Sequence, residues 1–424
     1  MENRDSLIQE NFLKKELNYD VKQSKKNKII FGICIGIIII LLIALIIVSI
    51  SLYKKSSEKS ESKAHNIYYG HYSSYINLSY AVNDKIENSF KKGGENFIED
   101  IGNLNNGENY EKNERNVFDL YIPDIALERK DKINGVLLWI HGGAWIFGVK
   151  EDFDYLAKIY ANHGYITATI GYTILVDQYK VFNIYRIMDE ITAAIKAIKK
   201  ELESKGFDGN KLRLAIGGYS AGSHLTLLYS YLIKNVDIIP LKFIIDFVGP
   251  IGLEEKYYFK VKSINETLPS IENITEVEKA KDEGKLVQVD SSFNLLVIIN
   301  AFYGNKYSYA ELYEMLDENG MINKENEKFK TMYKVIKYSD IEQIEDKHKI
   351  PTICIYGGTD DTVGVTDFGY LKRKADKDGR HLDLVYLRYE GHSLMYPEYS
   401  EEMKLKIWDV NILIMNYIEK YFNS

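Results

Sequence analysis

From Asn116 onward, short apolar runs alternate with amphipathic stretches. "VFDLYIP" alternates and stops at Pro123, which predicts an antiparallel strand. "GVLLWI", Gly135 to Ile140, is a continuous apolar run halted by "HGG", the pattern of a strand buried on both faces. "EDFDYLAKIYANHG" has helical spacing and a closing glycine, Gly164. "YITATIGY" is a strand, and "YRIMDEITAAIKAIKKELESKG" is an amphipathic helix ending at Gly206. "KLRLAIGG" predicts a strand that runs into the helix "SAGSHLTLLYSYLIK". Three further strands follow, "LKFIIDFVG", "PTICIYGG" and "LDLVYLRYEG", with a charged helix between the last two. The chain closes with the helix "EEMKLKIWDVNILIMNYIEKYF".

Strands and helices alternating at these lengths imply a mostly parallel central sheet with helices on both faces. In such sheets, reactive groups gather just past the C-terminal strand ends. That brings "HGGAW", "GYSAG", "GGTDD" and "EGHS" to one edge. One segment breaks the rhythm. Residues 254–345 carry no sheet pattern and are expected to form a helical, cap-like insertion at that edge. Within it, Ser308 and Glu311 are spaced as a capping box before a helix closed by Gly320.

Ahead of the alternating region lies an uncharged run, Ile29 to Leu52, bracketed by "KKNK" and "KK". As a helix it measures about 36 Å, enough to cross a hydrocarbon core of about 30 Å. It is too long for a signal-peptide core and predicts an uncleaved single-pass anchor over residues 29–53. A polar tail, 1–28, precedes it. A Ser/Lys-rich tether and an N-terminal helix or arm, 54–107, follow it. Residues 108–424 form the main domain. Six lysines before the run (Lys14, Lys15, Lys22, Lys25, Lys26, Lys28) face four after it (Lys54, Lys55, Lys59, Lys63). This excess places the N-terminus in the cytoplasm and the main domain on the exterior or lumenal side. Sequons at Asn77, Asn265 and Asn273 are compatible with that side.

Composition removes several function classes. The net charge of −7 gives no basic footprint for nucleic acid. Cys34 and Cys354 are the only cysteines, one in the apolar run and one in a strand, so no disulfide framework is expected. No H-E-x-x-H or paired Cys/His spacing calls for a metal, and no cofactor is implied.

The chemistry starts at Gly218-Tyr219-Ser220-Ala221-Gly222, a G-x-S-x-G between a strand and a helix. Small residues two before and two after the serine let strand and helix approach at a strained turn. A serine hydroxyl becomes a nucleophile when a base, an orienting acid and oxyanion donors accompany it. Of the eight histidines, His392 alone follows Ser220 after a strand and loop at the correct edge. His224 is one helical turn beyond the serine and reads as a packing residue. The acid belongs at the end of "TICIYGG", where Asp360 is favoured and Asp361 is the alternative. An oxyanion donor is expected from the Ala221 amide, with others from the "HGGAW" loop, which His141 braces.

These motifs together resemble an α/β-hydrolase of the hormone-sensitive-lipase and carboxylesterase branch, over about Asn116 to Phe422. The resemblance implies the α/β-hydrolase fold, a triad of Ser220, Asp360 and His392, and an oxyanion hole from Gly143, Ala144 and Ala221. It also implies hydrolysis of a small-molecule or lipid carboxylic ester. Formamidases share similar motifs, and a catalytically silent binding ectodomain is the alternative from another class. Ala144 stands where that family often has a third glycine, and Gly364 where it often has proline.

Overall fold

In the computed structural model the chain divides into two units, Met1–Gly70 and His71–Ser424. The described residues all belong to the second. They are 74–90, 110–175, 182–232, 238–253, 298–302, 325–360, 362–394 and 401–422, apart from 112, 134 and 364, with 92, 311, 314, 315 and 323 singly. The Ile29–Leu52 run, the sequons at Asn265 and Asn273, residues Ser308 and Gly320, and Asp361 lie outside them. Among the described residues no helix is long and apolar enough to cross a membrane.

Eight strands form one sheet: β1 (Tyr75–Ala81), β2 (Val117–Pro123), β3 (Gly135–Ile140), β4 (Ile166–Ile170), β5 (Arg213–Tyr219), β6 (Leu241–Phe247), β7 (Thr352–Gly357) and β8 (Leu382–Leu387). Their spatial order is β1-β2-β4-β3-β5-β6-β7-β8. β1 and β2 pair antiparallel, as do β2 and β4; every pairing from β4 to β8 is parallel. A mostly parallel sheet of this order with its crossover helices fits the α/β-hydrolase fold.

Burial follows position in the sheet. β3, β4 and β7 are buried at every residue, which is why they read as unbroken apolar runs. The edge strands β1 and β8 alternate between partly covered and exposed positions. The helices are α1 (Asp124–Glu128), α2 (Asp154–Asn162), α3 (Ile184–Ser204), α4 (Ala221–Leu232), α5 (Glu327–Ser339), α6 (Val365–Asp378) and α7 (Glu401–Phe422). α2 and α7 are joined by the Tyr160 hydroxyl, which donates to Asn411 Oδ1 at 2.8 Å. Trp139 of β3 stacks on Phe153 and packs against Tyr160 beneath α2. α3 meets α5 through Tyr185, whose hydroxyl lies 3.0 Å from the Val335 carbonyl and 2.9 Å from Ser339 Oγ.

The sequence reading is corrected in one place. It gives 54–107 to a tether and an N-terminal helix or arm and begins the main domain at 108. Tyr75–Ala81 is instead a sheet strand in full register with β2, from Tyr75 opposite Pro123 to Ala81 opposite Val117. The cause is visible in "INLSY": Ile76, Leu78 and Tyr80 are partly covered while Asn77 and Ser79 are exposed, a period-two pattern. Beyond β1 the chain is tied to α3. Ser89 N–H donates to Asp189 Oδ2 at 3.1 Å, and Phe90 packs on Tyr185 with ring centroids 5.0 Å apart. Among the described residues of 254–345, 298–302 are helical and Glu327–Ser339 forms α5.

Candidate active site

The turn between β5 and α4 holds Ser220 at φ 53°, left-handed backbone that costs a non-glycine residue roughly 1–2 kcal/mol. Its surroundings fix it there. Ser220 N–H donates to the Phe247 carbonyl at 2.8 Å, and the His224 amide donates back to the Ser220 carbonyl at 3.0 Å. The flanking glycines are sterically required. A Cβ on Gly218 would come within 2.3 Å of the Gly222 carbonyl oxygen, and one on Gly222 within 2.2 Å of the Ile140 oxygen.

His392 lies in the loop after β8. Its Nε2 stands 3.0 Å from Ser220 Oγ, and its Nδ1 stands 2.8 Å from Asp360 Oδ2. The Asp360 side chain is wholly buried, while that of His392 keeps 20% of its surface exposed. Asp360 is held by its own loop: Thr362 and Val363 N–H donate to Oδ1 at 2.9 and 2.8 Å. The loops after β7 and β8 are stitched together, since the Thr359 amide donates to the Glu390 carbonyl at 3.0 Å and that of Gly358 to Leu387 at 2.9 Å. A Cβ on Gly357 would sit 2.4 Å from the Glu390 oxygen, so only glycine permits this approach.

The loop after β3 carries three successive left-handed residues, Gly143 (φ 100°), Ala144 (φ 51°) and Trp145 (φ 62°). Ile146 and Phe147 N–H both donate to the Gly143 carbonyl, closing the turn. The Gly143 and Ala144 amides take no part in that closure. The Ala221 amide opens α4, where first-turn N–H groups have no intrahelical acceptor. A Cβ on Gly142 would lie 2.7 Å from the Tyr219 carbonyl oxygen and 3.4 Å from Ser220 Cβ, so this loop passes directly beside the serine. His141 braces it: the ring is buried, stacks on Tyr172 at 4.0 Å, and its Nδ1 lies 2.9 Å from the Gly142 carbonyl. Burial holds its pKa down to about 4.

His224 is likewise a packing residue. It is fully buried with its pKa lowered to about 4 by desolvation, and its Nε2 lies 2.7 Å from the Ser339 carbonyl at the end of α5. Trp145 meets its ring edge-on, and Phe302 stacks against it. The insertion is thereby fastened to the helix that follows the serine.

Six sequence-selected residues therefore surround one point: Ser220, Asp360 and His392 in hydrogen-bonding sequence, with the Gly143–Ala144 loop and the Ala221 helix end beside them. Asp361, the alternative acid, lies outside the described residues. Sequence reasoning missed Tyr219, whose hydroxyl donates to the His392 carbonyl while its ring packs against the imidazole at 5.3 Å. Nothing in the variable position of G-x-S-x-G announces that contact.

Residues 118–374, well over half of the chain, match the BD-FAE family. The chain belongs to that family. No curated protein matches this BD-FAE chain. Among solved structures it is similar to esterase B from Lactobacillus rhamnosis inhibited by a tributyrin phosphonate, at 12% identity and TM-score 0.47, covering 88% of this chain and 97% of that one. A butyrate-bound thermophilic esterase from the Planctomycetes species Thermogutta terrifontis is 15% identical at TM-score 0.45, covering 71% of this chain and 89% of that one. A bifunctional GH43-CE protein from Bacteroides eggerthii is 16% identical at TM-score 0.44, over 71% of this chain and 36% of that one.

Proposed function

We propose that the protein is a serine hydrolase of carboxylic esters, acting through Ser220, His392 and Asp360. It is a carboxylic-ester hydrolase in which Ser220 Oγ attacks the acyl carbonyl and forms the new C–O bond. The hydroxyl proton passes to His392 Nε2, and Asp360 keeps the imidazole in the tautomer whose Nδ1 carries a proton. The carbonyl oxygen, now an alkoxide, takes hydrogen bonds from the amides of Gly143, Ala144 and Ala221. Collapse breaks the bond to the leaving alcohol, which departs with the proton from His392. Water, deprotonated by the same imidazole, then attacks the acyl-enzyme; the acid is released and the serine regains its proton.

The observation that supports this reading is the unbroken contact chain, 3.0 Å from Ser220 Oγ to His392 Nε2 and 2.8 Å from Nδ1 to Asp360. The test is hydrolysis of a short-chain p-nitrophenyl ester by the full chain and by Ser220→Ala. Loss of about a thousandfold or more in kcat is expected; an unchanged rate overturns the assignment.

The finer reading places the enzyme in the hormone-sensitive-lipase and carboxylesterase branch, with residues 254–345 as a cap over the acyl site. The docking of α5 and Phe302 onto His224 supports the cap. It also makes Ile29–Leu52 a single-pass anchor that holds the catalytic unit outside the cytoplasm, near lipid or membrane-borne small esters. Protease treatment of intact cells tests the topology: digestion of the catalytic unit is expected, and full protection overturns it.

A further inference from the structure

Asp246, next to last in β6, has no exposed surface. Its carboxylate is the meeting point of three elements. Ser223, in the first turn of α4, donates its hydroxyl to Oδ1 at 2.5 Å, and the Gly249 amide donates to the same oxygen at 2.8 Å. The Tyr356 hydroxyl, from β7, lies 3.0 Å from Oδ2 and 2.7 Å from the Gly249 carbonyl. Burial raises the Asp246 pKa to about 6.

These donors are all neutral. Among the described residues no cation pairs with it, and a buried carboxylate without a counter-ion is an expensive way to fill space that an apolar side chain would fill with more stability. What the carboxylate accomplishes is visible on either side of it. Ser220 is left-handed, and so is Val248 at φ 48°, a β-branched residue for which that region is a genuine outlier. Both depend on this corner. Ser220 N–H is anchored on the carbonyl of Phe247, the residue after Asp246, and Val248 N–H on the Ile355 carbonyl at 3.0 Å. Strained backbone of this kind persists only where its neighbours over-determine it.

We infer that Asp246 is a positioning residue for the reaction: by gripping Ser223 and Gly249 together, it holds the first turn of α4, and so Ser220 Oγ, in line with His392. This rests on the reading of Ser220 as the nucleophile. Ser223 is three residues past Ser220, so a slackened first turn moves the hydroxyl relative to the imidazole. A displacement near 1 Å is enough to cost on the order of a hundredfold in rate.

The test compares the parent chain with Asp246→Asn, Ser223→Ala and the double variant. Active sites are counted with a fluorophosphonate, which loses fluoride as the serine oxygen bonds to phosphorus. Expected for each single variant is a kcat per titrated site lowered about ten- to hundredfold with KM within about twofold. The double variant should lose no more than the worse single, because both changes break one contact. A purely architectural role would lower thermal stability and the count of titrated sites but leave kcat per site intact. Single variants within twofold of the parent, or additive losses, overturn the inference. Where Asp246→Asn fails to fold, Ser223→Ala decides alone by the same measure. A parent chain that takes no label instead sinks the nucleophile assignment, and this inference with it.

Discussion

The side chain of Tyr219 donates its hydroxyl to the backbone carbonyl of His392, across 173 residues of sequence. The residue adjoining the proposed nucleophile thus holds the loop that carries the proposed base. Leu394 N–H, two residues on in the same loop, donates to the same carbonyl at 2.9 Å, so two donors fix it. Tyr219→Phe removes one of them and keeps the ring contact. A neutral hydrogen bond is worth about 0.5–1.5 kcal/mol, so kcat should fall about two- to thirteenfold. Steady-state kinetics with KM unchanged is the expected signature; a change in KM alone would contradict this role.

Asp360→Asn removes the carboxylate facing Nδ1 and favours the wrong imidazole tautomer. A fall in kcat of about ten-thousandfold is expected. Asp361→Asn is expected to retain activity within a few-fold. Parallel assays of the two settle the choice of acid, and the reverse pattern would reassign it.

Ala144 holds a left-handed conformation at φ 51° where glycine would be free of strain. The penalty of roughly 1–2 kcal/mol is partly offset by the greater chain entropy glycine loses on folding, about 0.4–1 kcal/mol. Ala144→Gly should therefore preserve kcat, since only the amide is used, and leave the melting temperature equal or slightly higher. A large loss of stability would show that the methyl group is packed.

Asp189 gives a signed prediction for pH. Burial raises its pKa to about 7 despite donors from Ser89 and Tyr110. Between the model-peptide carboxylate range and about 7, the folded chain holds a proton that the unfolded chain has released. Stability from this group is therefore full at low pH and declines as pH rises toward 7. Asp246 and Asp367, raised to about 6 and about 7, act in the same direction. His141 and His224, lowered to about 4, act oppositely between about 4 and the usual histidine value. Asp189→Asn should thus flatten the fall in denaturant stability between about pH 4 and about pH 7, by up to about one proton. An unchanged slope would exclude Asp189 as a contributor.

How much was legible follows from the range of the interactions. The strands β3 to β7 and the turns at Ser220 and Gly143 are written locally, in apolar runs broken by glycines, and could be read without partners. The order Ser220, Asp360, His392 followed from strand ends sharing an edge together with the chain order of that fold, and it left Asp361 open beside Asp360. β1 escaped because its "YINLSYA" alternation is spread over edge positions that keep one face exposed, and an edge strand carries half the signal of a buried one. Tyr219 and Asp246 escaped for a different reason. Their roles exist only once β5, β6, β7 and the loop after β8 lie side by side, and no window of sequence contains those neighbours together.

The stitching of the loop after β8 to the loop after β7 has an effect on timing. A ribosome releases the serine turn long before it releases the loop after β8 that bears the imidazole. Until β8 docks on the sheet edge, the growing chain owns a hydroxyl with no proton acceptor. On the proposed mechanism, ester cleavage is therefore a late acquisition of the growing polypeptide, and the unfinished chain is a harmless precursor.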